Sequence, residues 1–176
     1  MTYRVCFVCT GNICRSPMAE SVFRARVAEA GLEDLVEIDS AGTGDWHEGE
    51  AADPRTVSVL DERGYRSEHV ARRFQPAWFA RLDLVIALDT GHLKALRRLA
   101  PTEADARKVR LLRSYARPSS GRRTTADAPE DACDDLDVPD PYYGGPDGFL
   151  ECLEMVEEAS TGLLAAVREQ LEGRIA

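Results

Sequence analysis

Tyr3-Arg4-Val5-Cys6-Phe7-Val8-Cys9-Thr10-Gly11-Asn12-Ile13-Cys14-Arg15-Ser16-Pro17 is the stretch that decides the fold. It opens as an apolar run of strand length and tightens into a loop at Gly11 and Asn12. Pro17 then opens a helix, with Ala19, Val22, Phe23, Val27 and Ala30 at helical spacing until Gly31 stops it. A strand that delivers a cysteine, a tight loop and a helix N-terminus together make an oxyanion site. Successive backbone N–H groups curl into a nest, and the helix dipole adds partial positive charge. The same field favours a thiolate and lowers a cysteine pKa. Gly11 and Asn12 are residue types that tolerate positive φ. Arg15 carries a planar fork able to grip two phosphoryl oxygens. A Cys six positions before an Arg means little alone in a chain this rich in arginine; the strand, loop and helix around it carry the signal.

Outward from that loop, strand and helix patterns alternate. Strands are expected at 36–40, 84–88 and 108–112. Asp53-Pro54 caps a helix running to Gly64, and Asp89 and Thr90 are candidate caps for one reaching Leu99. Phe149, Cys152, Leu153, Val156, Leu163, Leu164, Val167 and Leu171 form the stripe of a closing helix. The expectation is an α/β fold in one domain over 1–176. It has a central four-stranded parallel sheet, helices on both faces and the phosphate-binding loop after the first strand. Residues 116–139 read as a long polar and acidic insertion. Residues 127–140 hold Asp127, Glu130, Asp131, Asp134, Asp135, Asp137 and Asp140 with no Lys or Arg.

The chain has 176 residues, 44% hydrophobic and 30% charged, as expected of a soluble globular domain. A net charge of −9 argues against binding nucleic acid through a basic surface, and no apolar run is long enough to span a membrane. No secretory signal is visible near Met1, and five cysteines do not suggest a disulfide framework. A cytoplasmic location is therefore expected, with export lacking a signal peptide still compatible. Cys6 and Cys9 form a C-x-x-C, but strand geometry points them to opposite faces, so Cys6 is expected in the core. His47, His69 and His92 show no metal-ligand spacing, so neither metal nor cofactor is expected.

Residues 8–17 resemble the phosphate-binding loop of the low-molecular-weight protein tyrosine phosphatases. Asp140-Pro141-Tyr142-Tyr143-Gly144 resembles their general-acid loop. Asp39-Ser40-Ala41-Gly42-Thr43-Gly44-Asp45-Trp46 resembles the wall of their substrate pocket, and His69-Val70-Ala71-Arg72 the segment supporting the phosphate loop. The likeness runs in collinear order over nearly the whole chain. The 116–139 stretch is longer than the family's usual connection.

That resemblance implies hydrolysis of protein phosphotyrosine and small aryl phosphates through a phosphocysteine intermediate. Cys9 would attack phosphorus. Arg15 and the loop residues Thr10, Gly11, Asn12, Ile13 and Cys14 would hold the phosphoryl oxygens. Asp140 would protonate the leaving phenolate and then activate water. Ser16 is placed to donate to the thiolate or to cap the helix. Asn12, Ser40 and His69 would form the shell that holds the loop. Trp46, Tyr142 and Tyr143 would wall a slot for an aromatic ring. Cys14 is a core residue or a redox partner for Cys9. Asp89 reads as a helix cap. The expected partners are tyrosine-phosphorylated proteins, and the expected state is a monomer.

Three competitors remain to be separated. Arsenate reductases of similar fold carry redox cysteines near mid-chain, and the stretch from Trp78 to Ala95 has none. Protein arginine phosphatases look similar but place Thr where this chain has Ile13 and Phe where it has Tyr142. A module that binds phosphotyrosine without cleaving it would need neither Cys9 nor Asp140.

Overall fold

The structure is a computed structural model that describes residues 2–66, 68–116, 136–142 and 145–175. Strand β1 (Tyr3–Cys9) leads through the loop into helix α1 (Arg15–Glu29). Next come β2 (Val36–Gly42), α2 (Pro54–Glu62), β3 (Leu84–Ala87), α3 (Thr90–Leu99), the short α4 (Glu103–Ala106), β4 (Val109–Leu111) and α5 (Pro146–Ile175). The four strands lie in the order β2-β1-β3-β4, and every pairing is parallel.

Strand alternation sorts β1 between two apolar layers. Val5, Phe7 and Cys9 face the core under α1, α2 and α5, where the Phe7 and Phe23 rings meet edge to face at 5.7 Å. Cys6 and Val8 face the opposite layer, built with Leu93 and Leu96 of α3 and with Phe74 and Phe79. The two cysteines thus lie on opposite faces, and burial pushes the Cys6 thiol up to about 12.

Several boundaries differ from expectation for local reasons. Helix α1 begins at Arg15 with Cys14 in the N-cap position, so Ser16 is not the cap. Pro17 falls in the first turn, whose N–H groups have no partner within the helix, so it does not have to sit at the start. Two 3-10 turns, Pro76–Ala80 and Leu112–Tyr115, lacked any periodic signal. The insertion also ends earlier than its composition suggests. Val138 is fully buried, and its N–H donates to the Leu88 carbonyl at 2.8 Å. Residues 117–135 lie outside the described residues.

The strand order fixes the site. β1 leads across to β2 on one side and pairs with β3 on the other, so the loops after β1 and β3 adjoin where the winding reverses. The loop from Cys9 to Arg15 and the turn from Leu88 to Thr90 must therefore share one crevice.

Helix α5 packs closely against the turn Leu112–Tyr115, and a Cβ at Gly162 would overlap the Tyr115 carbonyl. A helix-interior glycine normally gains about 1 kcal/mol on replacement by alanine. Gly162→Ala should instead destabilise by roughly 1–3 kcal/mol through overpacking. Urea unfolding checks this, and a raised midpoint would contradict the contact.

Candidate active site

The loop after β1 holds its shape because its carbonyls are bonded from outside. Thr43 N–H donates to the Cys9 carbonyl at 2.8 Å, and Gly44 N–H to Thr10 at 3.1 Å. His69 Nε2 donates to Asn12 at 2.6 Å, Asp53 N–H to Ile13 at 2.8 Å, and Met18 N–H to Cys14 at 3.2 Å. In a trans peptide the next N–H points the opposite way. The amides of Thr10, Gly11, Ile13, Cys14 and Arg15 are thereby turned from those partners toward the inside of the loop. That is the arrangement a tetrahedral oxyanion requires.

Only part of the expected backbone chemistry holds. Asn12 has φ 58°, the one positive value outside glycine among the described residues. Gly11 takes no positive φ, and a Cβ there would approach His47 Cδ2 to 2.9 Å, so that ring would have to move aside. Gly42 is needed for room across the sheet, where a Cβ would meet the Thr10 carbonyl at 2.7 Å.

A directed chain of hydrogen bonds reaches the Cys9 sulfur. The Glu20 carboxylate can only accept, so the Ser40 hydroxyl donates to it at 2.5 Å. Ser40 Oγ then accepts from Asn12 Nδ2 at 3.1 Å, and the same amide donates to Ser16 Oγ at 2.8 Å. Ser16 therefore retains its own proton, and its oxygen lies 3.0 Å from Cys9 Sγ. A second acceptor, the Ala41 carbonyl at 3.3 Å, is the poorer one. Arg72 N–H fixes the Asn12 side-chain oxygen at 2.9 Å, and His69 Nδ1 lies 3.8 Å from Glu20. Ser40, His69 and Asn12 thus meet as one buried shell beneath the loop. Arg72, at the end of the segment expected to support the loop, and Glu20 complete it; Glu20 gave no sign in the sequence beyond ordinary helix polarity.

Arg15 is buried and tied at one nitrogen. Its Nη1 donates to Asp89 Oδ2 at 2.8 Å and to the Val138 carbonyl at 2.9 Å. Nη2 stands 3.7 Å from Asp140 Oδ2. Burial opposes the charge, but Cys9, Asp89 and Asp140 raise the guanidinium pKa, so Arg15 stays cationic. Asp89 has two duties. Oδ1 caps α3 by accepting from His92 N–H at 2.8 Å, while Oδ2 orients Arg15. Burial alone would raise its carboxyl, but His92, that amide and Arg15 hold it below the usual carboxylate range.

His92 joins α3 to the loop, with Nε2 at 2.7 Å from Thr10 Oγ1 and Nδ1 at 3.1 Å from Asp89 Oδ1. The Nδ1 contact lies outside hydrogen-bond alignment, leaving that buried nitrogen without a hydrogen-bond partner. Neither Asp89's second duty nor His92 was evident before the strand order was known.

Cys9, Arg15, Asp140, Trp46, His47 and Tyr142 line one cavity of about 430 Å³, together with loop residues Thr10, Gly11, Ile13 and Cys14. Cys9 is only 2% exposed, at the floor, whereas Trp46 at the rim is 70% exposed. Asp140 is half exposed, and its Oδ1 accepts from Tyr142 N–H at 3.0 Å, so it also starts the turn. Arg55, gripped by Asp53 at 3.0 Å, lies over the Tyr142 ring at 5.3 Å and over Phe149 at 4.5 Å. Tyr143 lies outside the described residues. Among those residues, no group of three or more His, Cys, Asp and Glu is placed to hold a metal, and no helix is long and apolar enough to cross a membrane.

A cysteine at the bottom of an amide-lined loop, an anchored guanidinium and a facing carboxyl define a thiol-based phosphomonoester site. Residues 4–173 match the family described as low molecular weight phosphotyrosine protein phosphatase. A Streptomyces coelicolor protein named low molecular weight protein-tyrosine-phosphatase is 73% identical over 100% of both chains. A protein tyrosine phosphatase structure from Entamoeba histolytica superposes with TM-score 0.83 at 31% identity, covering 96% of this chain and 99% of that one. A Drosophila arginine phosphatase structure gives TM-score 0.78 at 30% identity over 93% and 96% of the two chains. The chain belongs to the low molecular weight phosphotyrosine protein phosphatase family.

Burial holds the His92 ring neutral, its pKa lowered to about 4 despite the pull of Asp89. The unfolded chain takes that proton near ~6.5. Between about 6.5 and about 4 the unfolded state therefore binds more protons, and stability falls as pH drops. His92→Asn should lose this part of the acid sensitivity, giving a smaller fall in thermal midpoint between pH 7 and pH 4.5. Parallel curves for the two proteins would refute the assignment.

Proposed function

We propose that the protein hydrolyses phosphotyrosine in proteins, and small aryl phosphates, through a phosphocysteine intermediate. The observation that carries this is the convergence of Cys9, Arg15 and Asp140 on one cavity with aromatic walls. The Cys9 sulfur attacks phosphorus in line while the phosphorus–phenol oxygen bond breaks. Arg15 and the loop amides hold the three remaining oxygens as charge builds on them. Asp140 gives its proton to the departing phenolate. It then takes one from a water that attacks phosphorus, which releases inorganic phosphate and frees the sulfur.

Depth favours a tyrosine substrate. The sulfur lies at the floor of a slot walled by Trp46, His47 and Tyr142, and a phosphoryl group must be carried in on a long, flat arm. A serine phosphate is too short to reach it. Arginine phosphatase activity is the second reading, favoured by the Drosophila neighbour. Two wall residues weigh against it, since Ile13 and Tyr142 stand where arginine phosphatases resemble one another in having Thr and Phe. The substrates are then tyrosine-phosphorylated proteins met by a monomer in the cytoplasm. The free thiols of Cys6, Cys9, Cys14 and Cys152 suit that compartment.

Turnover of phosphotyrosine, phosphoserine and phosphoarginine peptides, in chelator and without added metal, separates these readings. Cys9→Ser should abolish turnover yet still bind vanadate. Asp140→Asn should slow phosphates of basic phenols by roughly 10²–10⁴-fold and those of nitrophenols far less, because the latter leave without a proton. Equal losses on both would remove Asp140 from the acid role, and phosphoarginine outpacing phosphotyrosine would replace the substrate.

Cys14 fits the redox partner. Peroxide oxidises the Cys9 thiolate to a sulfenic acid, and the Cys14 thiolate displaces hydroxide from it, which leaves as water after taking a proton, to form a disulfide that a dithiol reduces. Burial, with Asp53 and Cys9 adding to it, pushes the Cys14 thiol up to about 12, so little thiolate is available at neutral pH. The fraction trapped as disulfide should therefore rise from pH 7 to pH 9, as read by peptide mapping. Finding Cys9 over-oxidised and Cys14 free throughout would rule out the pairing.

A further inference from the structure

Besides its own contacts to Tyr142 N–H and Arg15, Asp140 is held in place by the residues that precede it. Asp137 Oδ1 accepts from the Thr90 N–H at 2.7 Å and from the Thr90 hydroxyl at 2.5 Å. Arg113 Nη1 donates to the Asp137 carbonyl at 2.9 Å. Val138 then sits in the core, its N–H on Leu88 and its carbonyl on Arg15. The Thr90 N–H belongs to the first turn of α3, where no helical partner exists and Asp89 already serves His92. A carboxylate from another segment fills that vacancy.

We propose that Asp137 is a positioning residue for the reaction. Its latch on Thr90 sets the register of 138–140 against Arg15, and so places the carboxyl of Asp140 over the leaving group. Pro139 and Pro141 flank Asp140 and restrict the backbone on either side, so a shift at 137–138 is passed on to Asp140 instead of being absorbed. The acidic run suggests a merely electrostatic role for this residue, whereas the geometry uses its oxygen as a hydrogen-bond acceptor. The inference rests on the reading of Asp140 as general acid.

The test is a leaving-group series on the full-length protein, phenyl phosphate against nitrophenyl phosphate, with thermal midpoints alongside. Asp137→Ala should lower kcat on phenyl phosphate by about tenfold to a hundredfold, the upper figure being the cost of a misplacement of about 1 Å. Its loss on nitrophenyl phosphate should be much smaller, with KM and inhibition by inorganic phosphate little changed. Asp137→Asn keeps the acceptor oxygen without the charge and should recover most of the rate. Thr90→Val, which loses only the hydroxyl bond, should fall between, and Thr90→Ser should recover it. This pair decides the matter if Asp137→Ala fails to fold.

Equal losses on both substrates would overturn the latch, as would Asp137→Asn as damaging as Asp137→Ala, or no loss at all. Asp140→Asn run in the same series keeps the two ideas apart. If it is leaving-group dependent while the latch variants are flat, only the latch fails. If Asp140→Asn is itself flat, the general-acid reading fails and the latch with it.

Discussion

The site depends on where the carbonyls of one loop find their donors. Buried backbone oxygens must be bonded, and from Cys9 to Cys14 the donors come from the loop after β2, from His69, from Asp53 and from the first turn of α1. Each such bond turns the following amide inward. Much of the local sequence around the site serves this end. Gly42 admits the Thr10 carbonyl, Asp53 offers its N–H to Ile13 while its side chain starts α2, and Asn12 takes a left-handed backbone that its own amide side chain then pins. The loop has little freedom to relax when it is empty, so an oxyanion meets a cavity already shaped for it.

The same economy governs charge. A sulfur 2% exposed must find a donor aimed at it if it is to react as a thiolate, and hydroxyls can point anywhere. Glu20 removes the ambiguity from one helical turn away, because an acceptor at one end of the chain orders each proton between it and Ser16. Arg24 closes the outer end by donating to Glu20 at 2.8 Å. Such a network acts through direction more than through energy, and its worth lies in being complete.

Much of the fold was legible. Strand β1, the cap at Asp53, the capping turn at Asp89 and the stripe of α5 follow from pattern and turn chemistry at residues near in sequence. The loop's contents were legible for the same reason, since Cys9, Arg15 and Ser16 lie within one strand–loop–helix unit. What depended on strand order was hidden. Asp89 looks like any helix cap until β3 is known to lie beside β1, which brings its second oxygen to Arg15. Asp137 was lost among neighbours of like charge, where composition reads the same whether a carboxylate is solvated or docked. Glu20 and His92 sit at ordinary helical positions and acquire meaning only through partners far along the chain. Gly11 was misread in kind, because it takes no positive φ and its Cβ position faces the His47 ring, and sequence cannot tell the two cases apart.

Arg15 Nη1 ties the loop after β1 and the segment leading to Asp140 into one object. Asp89 and the Val138 carbonyl both accept from that nitrogen, so the orientation of the guanidinium and the height of the acid segment are set together. In the proposed reaction Nη2 and Nε face the phosphoryl group, and Nη2 stands 3.7 Å from Asp140. A lysine could satisfy the charge but has no second, fixed nitrogen with which to hold one segment while gripping a ligand. In the proposed reaction, substrate binding and acid placement are therefore not separable functions of separate residues. Any change that tilts Arg15 also moves the carbonyl it holds, and any change that frees 137–138 removes one of the two acceptors that keep Arg15 aimed at the floor of the cavity.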